Sequence, residues 1–350
     1  MSASCSTETA GPQEFQPVTS RAIQALEAEI RAAEPPPLPP PDSELITEVR
    51  SRAANLASES GPMRPMLTLS ARDFGDAAVP ILAQVLAEAN LDAAVRSAAA
   101  EMLAAIDSPA SAAILAYHAS DNPVSWMRAQ CAFRLASTTQ DHVVPRLITA
   151  HRLERDAEAA MFLARTLAHF GCTSYLEPGA TARAVEPPSA RFKLAVWQAI
   201  QAVGSGDVEA RAADLGRLPA FAAGPLAEAL IDVDPAVRVG AARALEHMGA
   251  RASAAGPALL EALVRDQHVE SAAIAALGAV HHSAAVPEIE RRLSDRSRPL
   301  AVRVAAARAL GALDAARALS LLEAAQDEDE PPELRAAAAE AARVLQAPVR

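Results

Sequence analysis

The chain has 350 residues, 51% of them apolar but only 3% aromatic, so its core must be built from Ala, Leu and Val, and alanine combines strong helix propensity with room for close helix approach. A formal net charge of -11 argues against unspecific binding to phosphate backbones. Three scattered cysteines, Cys5, Cys131 and Cys172, exclude a disulfide framework or a zinc motif and are expected to be reduced thiols of a cytoplasmic protein.

Residues 1–17 are small and polar and predict a disordered tail. Met1–Glu14 lacks the basic start and apolar stretch of a secretory signal, and no run of roughly eighteen apolar residues predicts a membrane span. Residues 18–41 predict a short amphipathic helix and a spacer. Thr19-Ser20 cap a helix from Arg21 to about Ala33, with Ile23, Leu26 and Ile30 on one stripe. The run Pro35-Pro36-Pro37-Leu38-Pro39-Pro40-Pro41 predicts a stiff polyproline II rod. The helix is expected to dock into this chain's own groove or a partner's.

From residue 42 to 350 the chain repeats itself. Val237-Arg238-Val239-Gly240-Ala241-Ala242-Arg243-Ala244-Leu245 returns about 65 residues later as Val302-Arg303-Val304-Ala305-Ala306-Ala307-Arg308-Ala309-Leu310. A weaker copy, Val269 to Leu277, lies between them. A period of about 32 residues predicts a stacked architecture of paired helices. The first helix of a unit reads Ala78-Val79-Pro80-Ile81-Leu82 or Ala285-Val286-Pro287-Glu288-Ile289, with proline in the first turn where its missing amide costs nothing. A turn such as Asp232-Val233-Asp234-Pro235 leads into the second helix, whose Val237, Ala241, Ala244, Leu245 and Met248 share one face.

That pattern, A-V-P-x-L and then D-P-x-V-R-x-x-A-A-x-A-L, resembles HEAT repeats over roughly residues 44 to 346. In particular it resembles the short bacterial HEAT-like repeats also found in phycobilin lyases. The resemblance implies an all-α, right-handed, armadillo-type superhelix of about eight to nine helical pairs, with the V-R helices on the concave side.

Aligning the units on Arg238 gives equivalent positions at Arg50, Arg96, Arg128, Ala160, Lys193, Glu270, Arg303 and Arg335. Two intervals are longer by about 13 residues, which places extra helices near Pro62–Arg72 and Asp207–Leu218. The recurring cations Arg50, Arg96, Arg128, Arg238, Arg303 and Arg335 are expected to bond turn carboxylates such as Asp92, Asp156, Asp234 and Asp266 or helix ends. The sharper alternative is an anion-binding strip.

Aromatic residues gather between 117 and 197. Trp126, Phe133, Phe162, Phe192 and Trp197, together with Lys193, form the expected partner-binding set, because aromatic side chains anchor interfaces when exposed in a groove. The alternative is that irregular repeats use them to fill the core. Cys131 occupies an alanine slot and is expected to be buried; Cys172 follows Gly171 at a helix end and is expected to be exposed.

Neither a metal nor another cofactor is expected. Deoxyhypusine hydroxylases are similar in architecture and bind iron through His-Glu dipeptides, which this chain lacks; Glu246-His247 reverses the order. His281-His282, if helical, would point about 100° apart. Phosphate-binding and nucleophile motifs are absent. The expected function is a non-enzymatic protein-binding scaffold. A chromophore or small-molecule lyase subunit is the alternative, marked by a deep pocket lined by Trp126, Phe162, Phe192 and Trp197. Nucleic-acid binding, as in the HEAT-like alkylpurine DNA glycosylases, would need a basic concave strip that the net charge argues against.

Overall fold

The computed structural model describes residues 17–33, 40–175, 189–204 and 206–346. Most of the tail 1–17, most of the proline spacer, and Cys5 lie outside them. Helix α1 spans Val18–Ala33, α2 spans Ser43–Ser58 and α3 spans Arg64–Leu69. From Val79 the described residues form eight helical pairs. They are α4 (Val79–Ala87) with α5 (Ala93–Ile106), α6 (Pro109–Asp121) with α7 (Ser125–Leu135), and α8 (Val144–Leu153) with α9 (Ala157–His169). Next come α10 (Ala190–Val203) with α11 (Val208–Leu215), and α12 (Ala223–Ala229) with α13 (Pro235–Met248). The last are α14 (Gly256–Arg265) with α15 (Glu270–Ala279), α16 (Val286–Ser294) with α17 (Leu300–Ala312), and α18 (Leu319–Ala324) with α19 (Pro332–Gln346). The fold is an all-α superhelix, and among the described residues no strand occurs. No helix among them is long and apolar enough to cross a membrane.

Local chemistry sets the helix starts. Pro80, Pro145, Pro257 and Pro287 sit in the first turns of α4, α8, α14 and α16, where no amide donor is needed. Asp92, Asp156, Asp207 and Asp234 cap α5, α9, α11 and α13, each accepting from a first-turn amide.

The pairs build two layers. The second helices stack closely, α7 on α9 and α11 on α13, α15, α17 and α19, whereas successive first helices touch far less. In a curved stack the close-packed layer is the inner, concave one. Small residues permit this approach: a Cβ added to Gly278 would lie 3.0 Å from Ala309 Cα, and one on Gly311 would lie 3.0 Å from Ala341 Cα. Leu103, Leu135, Leu245 and Leu310 are fully buried between the layers, each burial stabilising by about 1.5–3 kcal/mol.

One register expectation is corrected. Helix α10, which carries Lys193, packs against α1, against α8 and α12 of the outer layer and against α13, and barely meets α9; α11 is the inner helix of its pair and stacks most closely on α13. The Asp207–Leu218 region is therefore the second helix of a pair rather than an insertion, and the extra length lies before α10. The other longer interval holds α3 and a 3-10 run, Ser70–Ala78.

Helix α1 lies across α10 of its own outer layer. It starts a turn earlier than expected, so Thr19 is helical, and its amide and hydroxyl donate to Asp232 Oδ2 at 2.9 and 3.0 Å. A buried carboxylate more than two hundred residues away thus replaces the local cap. His281 adopts a left-handed φ of 57° in the turn after α15, so the His281-His282 pair is not helical. Cys172 is buried, not exposed.

Candidate functional site

The recurring cations of the inner helices are struts. Arg128, Arg238 and Arg303 each tie the end of their own outer helix to a carboxylate at or just after the end of the next. Arg128 donates to Asn122 O at 2.8 Å and to both carboxylate oxygens of Glu154 at 2.6 and 2.8 Å. Arg238 joins Asp232 O at 2.8 Å to Asp266 at 2.6 Å. Arg303 joins Leu293 O at 3.0 Å to Glu330 at 2.7 Å. Arg50 pairs with Glu88. Arg96 is buried and gives two bonds to Leu86 O, at 3.1 and 3.0 Å, while its guanidinium lies 5.7 Å from the Trp126 ring.

Glu270 reverses the sign of its rung, and its partners reverse with it: it accepts from Arg292 and pairs with Arg298 at 3.2 Å. The corrected register places Arg211, not Lys193, on the fifth rung, where it donates to Ala202 O at 2.5 Å. Lys193 is exposed on the outer layer. At the last rung, Arg335 Nε is buried with no partner among the described residues.

Electrostatics follow from this pairing. The Arg128 hydrogen bond, backed by the amides of Asp156 and Arg155, outweighs burial and pulls the Glu154 carboxyl down to about 2. Glu330 is held below the ordinary carboxylate range by its bond from Arg303. Glu88, Glu154, Asp266 and Glu330 thus match the charges of Arg50, Arg128, Arg238 and Arg303 across the turns.

The aromatic set divides between the layers. Phe192 is 1% exposed and meets Phe221 edge-on at 4.7 Å, and Trp197 is 5% exposed. Both belong to the core because α10 is an outer helix, so neither is a surface anchor. The pocket expected from Trp126, Phe162, Phe192 and Trp197 does not form, since the first two lie on inner helices and the last two on an outer one.

What remains is a strip on α7 and α9. Trp126 and Phe133 lie two turns apart on one face of α7. Phe133 is 47% exposed and meets half-buried Phe162 of α9 at 5.4 Å, with rings inclined at 65°. Arg134 lies 5.3 Å from the Phe133 ring and Arg165 lies 6.0 Å from the Phe162 ring. Met161, 40% exposed, extends the apolar surface.

The strip has a rigid support. Glu101 on α5 accepts from Arg134 at 2.7 Å, from Arg64 at 2.8 Å and from Thr68 at 2.5 Å. Burial raises the Glu101 carboxyl, but these donors and the two charges outweigh it and hold it below its usual range. The α3 segment thus fixes the rotamer of an arginine that borders the strip. Sequence reading missed Glu101, Arg64, Thr68, Arg134 and Arg165. Arg134 follows Phe133 directly and Arg165 follows Phe162 by three positions, which was the available signal.

Buried thiols offer no nucleophile: desolvation pushes Cys131 and Cys172 up to about 12. Among the described residues no group of three His, Cys, Asp or Glu side chains converges as a metal site.

Residues 256–343 match the family model described as HEAT repeats, and residues 237–265 match the PBS lyase HEAT-like repeat. These residues are HEAT repeats. No curated protein matches the chain. Solved structures similar to this chain include human deoxyhypusine hydroxylase, at 20% identity over 82% of this chain and 99% of that one, with a TM-score of 0.32. Another is the Pds5–Scc1 complex, at 11% identity over 85% of this chain and 54% of that one, with a TM-score of 0.35. A third is the CpcE–CpcF complex of phycocyanin lyase from Nostoc, at 18% identity over 89% and 98%, with a TM-score of 0.25. At these values the likeness carries no argument about activity.

Proposed function

We propose that the protein is a non-enzymatic cytoplasmic scaffold whose HEAT repeats hold another protein against the concave layer, at Trp126, Phe133 and Phe162. The observation that carries this reading is the Phe133–Phe162 pair, left open on the inner layer and flanked by Arg134 and Arg165. Exposed aromatic pairs beside guanidiniums supply the apolar anchor and charged rim of an interface. An amphipathic helix with acidic flanks has the matching chemistry.

The test is affinity capture from native lysate with the wild type and a Phe133→Ser/Phe162→Ser variant. The expected result is loss of one prominent protein from the variant, with its circular dichroism unchanged. Retention of that protein by the well-folded variant would refute the reading.

A further inference from the structure

Helix α7 starts without a side-chain cap. The inner helices α5, α9, α11 and α13 begin on an aspartate, whereas Val124 holds that position of α7. The turn is fixed instead by Asn122, whose Oδ1 accepts from the Val124 amide at 3.0 Å and whose carbonyl accepts from Arg128 at 2.8 Å. Asn122 is held in turn by His118, one turn back on α6, with Asn122 Nδ2 3.0 Å from His118 Nδ1. Both side chains are buried. Because Asn122 Oδ1 faces the Val124 amide, its amino group faces His118 and donates. His118 Nδ1 must therefore accept, and the neutral imidazole carries its proton on Nε2.

Equivalent turns carry a carboxylate here. Glu154 before α9 and Asp232 before α13 accept from the amide two residues on, as Asn122 does. The guanidinium of the preceding rung can end on that carboxylate, as Arg128 does on Glu154. Arg96 precedes the neutral Asn122 and has no carboxylate partner among the described residues. It is 6% exposed, bonds Leu86 O and faces the Trp126 ring. Burial and this Arg96 charge push the His118 imidazole below its ordinary 6.5. The remaining neighbours of α6 are engaged elsewhere. Arg128 of α7 and Arg146 of α8 pair with Glu154 and Asp121, and α4 has no titratable side chain. In the 3-10 turn before α8, Asp141 holds Ser189, and His142 turns to Pro109 at the far end of α6.

We propose that His118 and Asn122 form an acid-released latch on the joint between α6 and α7. Protonation turns Nδ1 from an acceptor into a donor, which opposes the Asn122 amino group and sets a second buried cation near Arg96. Asn122 then leaves the imidazole, the Val124 amide loses its acceptor, and Trp126 is freed at the start of α7. The closed joint takes up the proton only below 6.5, so the latch is whole at neutral pH. As pH falls below that value the opened joint binds the proton first, and the closed one loses stability. The latch is measured on the chain alone, so it stands or falls apart from partner capture.

Acrylamide quenching of tryptophan emission tests it, on the folded full chain between about pH 7.5 and about pH 5. Trp126 is half-buried and Trp197 is buried, so a change reports on α7. Quenching is expected to rise on acidification of the wild type. His118→Gln keeps an acceptor for Asn122 but takes up no proton, and His142 and His151 stay in place; the rise is expected to be lost. Asn122→Asp supplies a carboxylate to which an imidazolium donates, so the joint is expected to stay closed in acid and His118 to titrate higher than in the wild type. Nitrogen-15 spectra of the wild-type imidazoles are expected to show His118 as the Nε2–H tautomer. Constant quenching of the wild type while circular dichroism reports a folded chain, an equal rise in His118→Gln, or an Nδ1–H tautomer at His118 would each overturn the proposal.

Discussion

A single arginine on an inner helix connects three elements: its own helix, the end of the preceding outer helix and the end of the following one. Arg303 and Glu330 are 8% and 6% exposed at their side chains, so loss of Glu330 leaves the buried Arg303 charge without its carboxylate and costs about 3–5 kcal/mol, whereas loss of Arg303 leaves Glu330 still paired with Arg296 at 2.9 Å. The reversed rung tests this logic. Glu270→Arg sets a third guanidinium against Arg292 and Arg298 and is expected to lower stability in urea by a similar amount, about 3–5 kcal/mol. Adding Arg292→Glu is expected to restore most of it; no recovery would mean that the rungs are independent of charge pairing. The Glu154 carboxyl gives a pH signature. Its folded value is lowered from the ordinary 4.5 to about 2, so its contribution is full above the ordinary value and is lost as pH falls through that window. By linkage it amounts to roughly 3 kcal/mol at most. The melting temperature of the wild type is expected to fall more steeply between those pH values than that of Glu154→Gln, and parallel curves would contradict it. The ladder positions were legible in the sequence because they recur. Their partners were less so, because the carboxylate is Glu in some rungs and Asp in another and its separation drifts, from 26 to 28 residues for Arg128, Arg303 and Arg238 and 38 for Arg50.

At the scale of the element, helix starts could be read from aspartate caps and first-turn prolines, but the layer of one helix could not. Lys193 falls at the regular spacing from Ala160, yet α10 is an outer helix because α11, eight residues long, takes the inner position. That displacement buried Phe192 and Trp197 and removed two of the five expected aromatic anchors. Close approach of the inner helices also makes small residues obligatory at their contacts. Gly278→Val is expected to cost about 1–3 kcal/mol through overpacking against Ala309, despite glycine's poor helix propensity. An unchanged urea midpoint would show that the α15–α17 contact yields. Helix α1 is fastened at one end by Thr19 and Asp232. Asp232→Ala is expected to speed tryptic cleavage after Arg21 and Arg31 while later sites remain protected; equal rates would show that the apolar contacts with α10 suffice.

As a whole molecule, the chain is nearly one-dimensional. Each pair leans on its neighbours, so stability is a sum of repeat and interface contributions. This architecture was readable from a period of about 32 residues, since the pattern of Val, Arg, Ala and Leu fixes both the buried face and the strut. The chemistry of the open face was not readable in the same way. Whether Phe133 or Phe192 faces solvent depends on the layer that holds its helix, and periodicity alone misassigned one helix. The open inner layer, the supported aromatic pair and its guanidinium border together favour a scaffold that recognises a protein. The most direct measurement is photo-crosslinking in native cells with a benzophenone amino acid at Phe133, at Met161 and at Val264, which is 58% exposed on outer helix α14. The account predicts the same protein adduct from the two inner-layer positions and none from Val264. No adduct from Phe133, or the same adducts from Val264, would contradict it.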